Sequence, residues 1–394
     1  MILSTSARVE RIRPSATIAV TDRARALKAE GVDVIGLGAG EPDFDTPEHI
    51  KEAAIRAIRD GATKYTAVGG TPELKDAIIE KFRRDNGLDY GRDQILVSSG
   101  AKQTLYNLCQ AVLNGGDEVL IPAPYWVSYP DMSLLADACP VIIEAGAGQG
   151  YKITPGQLAG ALSERSRLLI LNSPSNPTGA AFTRAELEAL GRVLESHPRV
   201  LIATDDMYEH IYWGDEPFCS FATACPDLYD RTVTVNGVSK SYAMTGWRIG
   251  YAGAPAPLIK AMAKVQSQST SNPASMSQAA AVAALNGDQQ CVAEMTRAFR
   301  ERHDFVVSAL NDLHDVSCRP GAGAFYAFAD FTACINARDG IDDDVQLAEY
   351  LLAAAGVALV PGTAFGAPGH LRVSFAADMD TLKEAMRRLA ACLG

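Results

Sequence analysis

Thr232-Val-Thr-Val-Asn-Gly-Val-Ser-Lys240-Ser-Tyr-Ala-Met-Thr-Gly-Trp-Arg248-Ile-Gly250 runs from an apolar β-rich stretch into a turn of small residues holding one lysine, then to an arginine among glycines. The run 232–235 reads as a buried strand and 249–252 as another. A lysine is ordinarily a solvated surface charge. Lys240 instead lies just past a strand, flanked by Ser239 and Ser241, with Arg248 nearby among glycines that permit close backbone approach. A partly desolvated lysine beside a second cation has a lowered pKa, the condition for imine chemistry with an aldehyde.

The same pattern repeats along the chain. Short apolar runs at 95–97, 118–121, 168–171 and 200–203 alternate with amphipathic helical stretches such as 48–59 and 73–86. That alternation predicts an α/β fold with a largely parallel sheet, whose ligands bind beyond the carboxyl ends of the strands. From about Ala298 a long helical pattern leads to strand-like runs at 323–328, 357–360 and 371–375, which predicts a smaller α+β unit.

With 394 residues, 47% of them hydrophobic and 21% charged, the composition is that of a globular protein of roughly two or three domains. A net charge of −11 sets the average field against nucleic acid and anionic membrane surfaces. The eight cysteines show no C-x-x-C spacing, so neither a metal site nor a disulfide framework is expected, only free thiols in a reducing compartment. No stretch approaches the ~18 apolar residues of a membrane span, and a cytoplasmic location is expected.

Several other positions could carry chemistry. Ser98-Ser-Gly100-Ala101-Lys102-Gln103 follows one strand and opens a helix, so free N–H groups and the helix dipole would face an anion there, with Arg248 completing a phosphate cup. The strand 200–203 leads into Asp205, Asp206 and Tyr208, which by themselves read as a capped strand-to-helix turn. Trp126 follows two prolines in a stiff loop, and Asn176 sits in a Pro-punctuated turn where an Asx turn would also place it. Arg372 alternates with apolar residues. Alone it reads as an outward-facing sheet arginine, yet a guanidinium is also the best partner for a carboxylate. Gly36, Gly38 and Gly40 suggest a dinucleotide fingerprint, but Glu41-Pro42-Asp43 intervenes where that motif requires a helix.

The ordered set Pro14-Ser-Ala-Thr17, Gly38-Ala-Gly-Glu-Pro-Asp-Phe44, Thr63-Lys-Tyr65, Pro124-Tyr-Trp126, Asn172-Ser-Pro-Ser-Asn-Pro-Thr-Gly179, the Lys240 segment and Leu371-Arg-Val-Ser374 resembles the class I aminotransferases of the fold-type I pyridoxal-phosphate family. The likeness spans nearly the whole chain and is nearest to the bacterial aspartate aminotransferase subgroup. It implies a large domain with a mostly parallel sheet of seven-stranded type between helices, and a smaller α+β domain. Residues 1–47 would form an N-terminal arm and part of the small domain, 48–297 the large cofactor-binding domain, and 298–394 the small C-terminal domain.

The implied cofactor is pyridoxal 5′-phosphate, held covalently by Lys240. Asp205 would face its ring nitrogen, Tyr208 and Asn176 its 3-oxygen, and Trp126 its ring face. Gly100, Ala101, Lys102 and Arg248 would hold its phosphate, although the family often has a second glycine where this chain has Ala101. Tyr65 would reach the phosphate of a neighbouring subunit, which implies a homodimer with shared sites. Gly40, Trp126, Asn176 and Arg372 would contact the substrate, Arg372 through the α-carboxylate.

The implied reaction moves the amino group of L-aspartate to 2-oxoglutarate by a ping-pong route between small amino acids and 2-oxo acids. Aromatic amino acid or prephenate transamination, and a β-lyase reaction, are the alternatives within the family. The stretch 266–278, where one subgroup supplies a second arginine, contains no cation here. Arg13 is the leading candidate for a distal carboxylate and Lys102 the second. Subgroup members that act on prephenate typically carry lysine where this chain has Arg13.

Overall fold

The computed structural model describes residues 4–394. In chain order its strands are β1 (Ile35–Gly36), β2 (Ile95–Ser98), β3 (Glu118–Ala123), β4 (Cys139–Glu144), β5 (Ser166–Asn172), β6 (Leu201–Asp205), β7 (Thr232–Gly237), β8 (Gly250–Gly253), β9 (Ser317–Cys318), β10 (Tyr326–Asp330), β11 (Val357–Ala358), β12 (Val360–Pro361) and β13 (His370–Ser374). Seven of them form the main sheet in the order β2-β8-β7-β6-β5-β3-β4. Its parallel pairings join β4, β3, β5, β6 and β7, while β8 runs antiparallel to both β7 and β2.

The apolar runs become central strands because both faces of the sheet are covered. Leu120, Leu169, Leu171 and Ile202 pack with the helix Arg184–Glu195, whereas their neighbours Val119, Ile121, Leu168 and Ile170 pack with the helix Ala101–Val112 on the opposite side. Residues adjacent in a strand point to opposite faces, so burial on both sides selects continuous apolar runs over alternation. The edge strand β4 is partly exposed, as Glu144 and Cys139 reflect.

β7 and β8 are joined by residues 238–249 without a crossover helix. Such a link suffices because the two strands pair antiparallel. It therefore leaves and re-enters the sheet at the same edge, the one where the parallel strands end, and carries Lys240 and Arg248 along it.

The chain passes to the smaller unit through the helix Gln290–Asn311, which spans position 298. There β12-β13-β10-β9 form an antiparallel sheet, and β1 pairs with β11 in parallel. Phe299, Leu310, Phe325, Leu347, Leu382 and Leu389 anchor this unit's core. The run 357–360, expected as one strand, divides in two because its halves serve different partners: β11 pairs with β1 and β12 with β13. The expected helix at 73–86 is α-helical over Pro72–Lys81, capped by Thr71, and widens into a π turn over Phe82–Asn86 before Gly87 at φ 65° ends it.

The beginning of β8 presses on the start of the helix Ala101–Val112: a Cβ on Gly250 would lie 2.1 Å from the backbone nitrogen of Ala101. No side-chain rotation relieves a clash with backbone. Gly250→Ala is expected to destabilise the protein by about 1–3 kcal/mol, read as a lowered urea midpoint at unchanged slope.

Candidate active site

A cavity of about 330 Å³ opens where the strand ends of the main sheet meet the smaller unit, and Lys240, Asp205, Tyr208, Asn176, Trp126 and Arg372 all line it. Gly40, Ala101, Lys102 and Arg248 line it as well.

Lys240 is half-buried and its ammonium donates to the carbonyl of Gly40. The turn that carries it is pinned from the far side. Thr46 Oγ1 donates to the Ala243 carbonyl at 2.6 Å and accepts from Trp247 Nε1 at 2.9 Å, while Thr245 Oγ1 donates to Glu41 at 2.9 Å. Ala243 and Arg248 adopt left-handed backbone angles, φ 50° and 58°, which favour glycine and hold here only because these contacts fix the turn. Loss of hydration drives the Lys240 pKa down to about 8; Glu41 opposes this and the charges of Arg248 and Arg372 add to it.

Asp205 ends β6 fully enclosed. Tyr129 Oη donates to its carboxylate at 2.7 Å and the Met207 amide at 3.3 Å, and Asn172 Nδ2 donates to its main-chain carbonyl at 2.8 Å. Burial raises its pKa, and the two donors and Lys240 work against that rise by stabilising the ionised form. Tyr208, three residues on, is buried with its hydroxyl 2.8 Å from that of Tyr326, and burial holds its pKa well above the ordinary range. Trp126 stands edge-on to Tyr129, with ring centroids 5.3 Å apart.

Gly100, at φ 91°, turns the chain from β2 into the helix Ala101–Val112, and a Cβ there would lie 2.4 Å from Nη2 of Arg248. The helix has no side-chain cap, so the first N–H groups and the guanidinium face the same space. Ala101 in place of a second glycine leaves this opening intact.

Arg372 faces inward and is 2% exposed, although its strand pattern also suited an outward arginine. Its Nη1 donates to Asn176 Oδ1 at 2.8 Å and its Nη2 to the Gly38 carbonyl at 2.7 Å. The guanidinium lies over the rings of Tyr326 and Phe365 at 4.4 and 5.0 Å, and its Nε has no partner. A buried donor without an acceptor is costly, and Arg372 is among the residues lining the cavity.

Three candidate residues do not line the cavity: Gly100, which turns the chain beside it, Arg13 and Tyr65. Arg13 is exposed and does not line it, whereas Lys102 does, with its ammonium 4.9 Å from the Trp126 ring centroid. Tyr65 is 92% exposed. Tyr129, Tyr326 and Glu41 were not singled out from the sequence. Tyr129 carried a usable signal, since it opens the helix Ser128–Leu135 directly after the Trp126 loop, but only the fold brings it to Asp205.

The donor set suits an aromatic aldehyde phosphate. A phosphate fits the uncapped helix start beside Arg248, an aldehyde fits a lysine near neutrality, and a protonated ring nitrogen fits the enclosed carboxylate of Asp205.

A sequence model described as "Aminotransferase class I and II" matches residues 32–389. The chain is 56% identical to an aspartate/prephenate aminotransferase of Nitrosomonas europaea, over 98% of this chain and 99% of that one. It is 51% identical to an aspartate aminotransferase of Rhizobium meliloti, over 98% and 95% of the two chains. Among solved structures, a Rhizobium meliloti aspartate aminotransferase superposes with a TM-score of 0.95 at 50% identity, covering 99% of each chain. Thermus thermophilus aspartate aminotransferase with maleate superposes at 0.93 and 44% identity, covering 99% of this chain and 100% of that one.

The geometry around Lys240 makes a direct prediction. In the cofactor-free protein, acylation of its amine by an amine-directed reagent, followed by peptide mass spectrometry, should rise with pH through a midpoint near 8. A midpoint at the ordinary lysine value of about 10.4 would contradict the enclosed setting.

Proposed function

We propose, from the premise that this chain belongs to the class I and II aminotransferases, that it moves the amino group of aspartate to 2-oxoglutarate in two half-reactions, with pyridoxal 5′-phosphate as cofactor. The observation that carries this reading is the meeting, in one cavity, of a lysine near neutrality, an enclosed carboxylate and a buried arginine with an unmet donor.

Lys240 would hold the cofactor covalently. Asp205 would hold its ring nitrogen, Tyr208 and Asn176 its 3-oxygen, Trp126 its ring face, and Gly100, Ala101, Lys102 and Arg248 its phosphate. When bound, the cofactor supplies an electron-withdrawing ring that stabilises negative charge at the substrate Cα.

The protein's own part is positioning and proton transfer. Arg372, aimed by Asn176 and the Gly38 carbonyl, grips the α-carboxylate and orients the Cα–H bond toward Lys240. Once the substrate's amine has displaced it from the cofactor, Lys240 Nζ is a free amine that would take that proton from Cα and deliver it to the carbon to which the lysine had been joined. Its lowered pKa suits it to both roles, because a free amine is available near neutral pH and its ammonium gives the proton back readily. The Tyr129 hydroxyl favours the ionised form of Asp205 against the effect of burial and aims its carboxylate. Gly40 permits close approach at the mouth: even a Cβ there would lie 3.0 Å from the Tyr326 hydroxyl. The exposure of Tyr65 supports a homodimer in which that residue completes the neighbouring phosphate site.

A second carboxylate on the substrate needs its own cation, because an unpaired charge in an enclosed site is costly. Lys102 lines the cavity, so it is the first partner to test, with Arg13 on the N-terminal segment as the comparison. The relative solved with maleate, a dicarboxylate, supports this class of substrate. The relative named for both aspartate and prephenate favours prephenate as a second acceptor to assay.

A panel of amino donors with 2-oxoglutarate and prephenate, scored for transamination against release of ammonia and pyruvate, tests the assignment; ammonia and pyruvate without transamination would overturn it. Lys240→Ala is expected to abolish multiple turnover and borohydride trapping of the cofactor. Asp205→Ala should slow the half-reactions on the order of 10²-fold with the fold retained, seen in single-turnover absorbance traces. Lys102→Ala should weaken kcat/KM for aspartate by roughly 1.5–3 kcal/mol more than for a neutral amino donor, since loss of the phosphate contact affects both alike. Selective loss in Arg13→Ala instead would transfer the distal contact to Arg13.

A further inference from the structure

Behind the turn that carries Asp205 and Tyr208 lies a polar cluster, none of whose members lines the cavity. Its centre is Glu209, the residue after Tyr208, with a side chain 2% exposed. Glu209 is ion-paired with Lys81, itself 1% exposed. Its carboxylate also accepts from Asn236 Nδ2 at 2.8 Å and from Asn86 Nδ2 at 2.7 Å, and Asn86 Oδ1 in turn accepts from Lys81 Nζ at 2.7 Å. His210 Nε2 stands 3.3 Å from the same carboxylate and 3.4 Å from Asp85, and Lys81 lies 3.8 Å from Asp85. Asp206, enclosed nearby and bonded by Thr204, faces the negative charge of Glu209. Three ligand atoms of Asp85, Glu209 and His210 come within 4.8 Å of one another, but the Lys81 ammonium already supplies the cation of this cluster.

The cluster joins three pieces of chain. Lys81 and Asn86 come from the helix at 72–86, whose widened last turn brings both to the same carboxylate. Glu209 follows β6 and Asn236 belongs to β7, the strand that leads to Lys240. The Glu209–Asn236 bond therefore ties the turn bearing Asp205 and Tyr208 to the strand bearing Lys240, from the side the substrate never reaches. Stability alone gives little reason to build this: a buried ion pair is often no more stabilising than an apolar pair of the same volume. A carboxylate that takes directional bonds from two other elements does fix geometry, as apolar contact does not.

We propose that Glu209, paired with Lys81 and bonded by Asn86 and Asn236, is a positioning residue that sets the distance and angle between Asp205 and Tyr208 on one turn and Lys240 on the next. This inference rests on the functional reading above. The groups held in register are the ones that surround the cofactor ring and the migrating proton, where misplacement on the order of 1 Å can cost about 10²-fold in rate.

The test uses the whole protein and two variants. Glu209→Gln removes the charge and sets an amide donor among the donors Lys81, Asn86 and Asn236. Asn236→Ser keeps the ion pair and removes the bond from β7 to Glu209, along with the bond that Asn236 Oδ1 accepts from the Gly237 amide at 2.7 Å, so it remains informative should Glu209→Gln fail to fold. For each, melting temperature, pyridoxal 5′-phosphate affinity of the cofactor-free form, the pH midpoint of the bound cofactor's visible absorption, and half-reaction rates with aspartate are measured.

The expected result is a folded Asn236→Ser protein with a displaced absorption midpoint and weaker cofactor affinity. Its half-reaction rate falls roughly tenfold to a hundredfold, while affinity for an unreactive dicarboxylate is nearly unchanged because Arg372 and Asn176 stand on other elements. A lowered melting temperature with wild-type midpoint, cofactor affinity and rate would overturn the proposal and leave the cluster a stability element. A wild-type protein that takes up no pyridoxal 5′-phosphate would overturn the functional reading, and this inference with it.

Discussion

The antiparallel course of β8 is the constraint on which the site depends. Parallel strands bring their carboxyl ends to one sheet edge, so the segments after β2, β3, β5, β6 and β7 meet there without further design. A further parallel strand after β7 would have required a crossover, sending the chain away from that edge. Because β8 instead returns beside β7, the short link between them stays at the edge and presents both Lys240 and Arg248 to one cavity. The return also requires glycine. At Gly250 the backbone of β8 lies so close to Ala101 that a single added carbon would collide with it, and the same approach sets Arg248 against Gly100.

The electrostatics follow from that convergence. Two cations, Lys240 and Arg372, and the carboxylate of Asp205 share one cavity, with Arg372 and Asp205 buried and Lys240 half-buried, so water screens them less than it would at the surface. Burial disfavours every charge alike, so the outcome at each group turns on its hydrogen bonds. Asp205 has the Tyr129 hydroxyl and the Met207 amide to stabilise its anion. Lys240 accepts no comparable help beyond the Gly40 carbonyl and the field of Glu41, and it drifts toward neutrality. Arg372 keeps a charge too basic to lose, satisfied on two nitrogens and left wanting on the third. In the function proposed above, the difference in treatment would make one group an orienting charge, one a proton carrier and one a clamp.

The second layer explains how such demanding geometry is held. Loop 40–46 is bonded to the Lys240 turn through Thr46 and Glu41, and the Glu209 cluster secures the neighbouring turn from behind. Tyr326 supports two cavity residues at once, its hydroxyl on Tyr208 and its ring face under Arg372. These supports come from both the large sheet and the smaller unit. The cavity is thus a property of their packing, and neither unit forms it alone.

The sequence determined the α/β class with its largely parallel sheet, and with family likeness, which supplied the seven-stranded type of sheet, it marked ten of the residues that line the cavity. Apolar runs buried on both faces, turn residues at strand ends and the small-residue setting of Lys240 are local features, and local sequence records them. Family likeness added the order of the motifs from Pro14 to Ser374. It did not record orientation in strands whose alternation allows either face: only the pairing of β13 with β10 and β12 turns Arg372 inward. Nor did it mark Tyr129, Tyr326, Glu209 or Lys81, which look in the chain like ordinary aromatic and charged residues. Their roles arise from contacts between segments far apart in sequence, Tyr129 with Asp205 and Lys81 with Glu209 among them. The split of 357–360 into β11 and β12 has the same origin. Periodicity reports what one segment prefers; which partner satisfies a buried donor or charge is settled only when the elements pack, because desolvation makes an unpaired group too costly to leave.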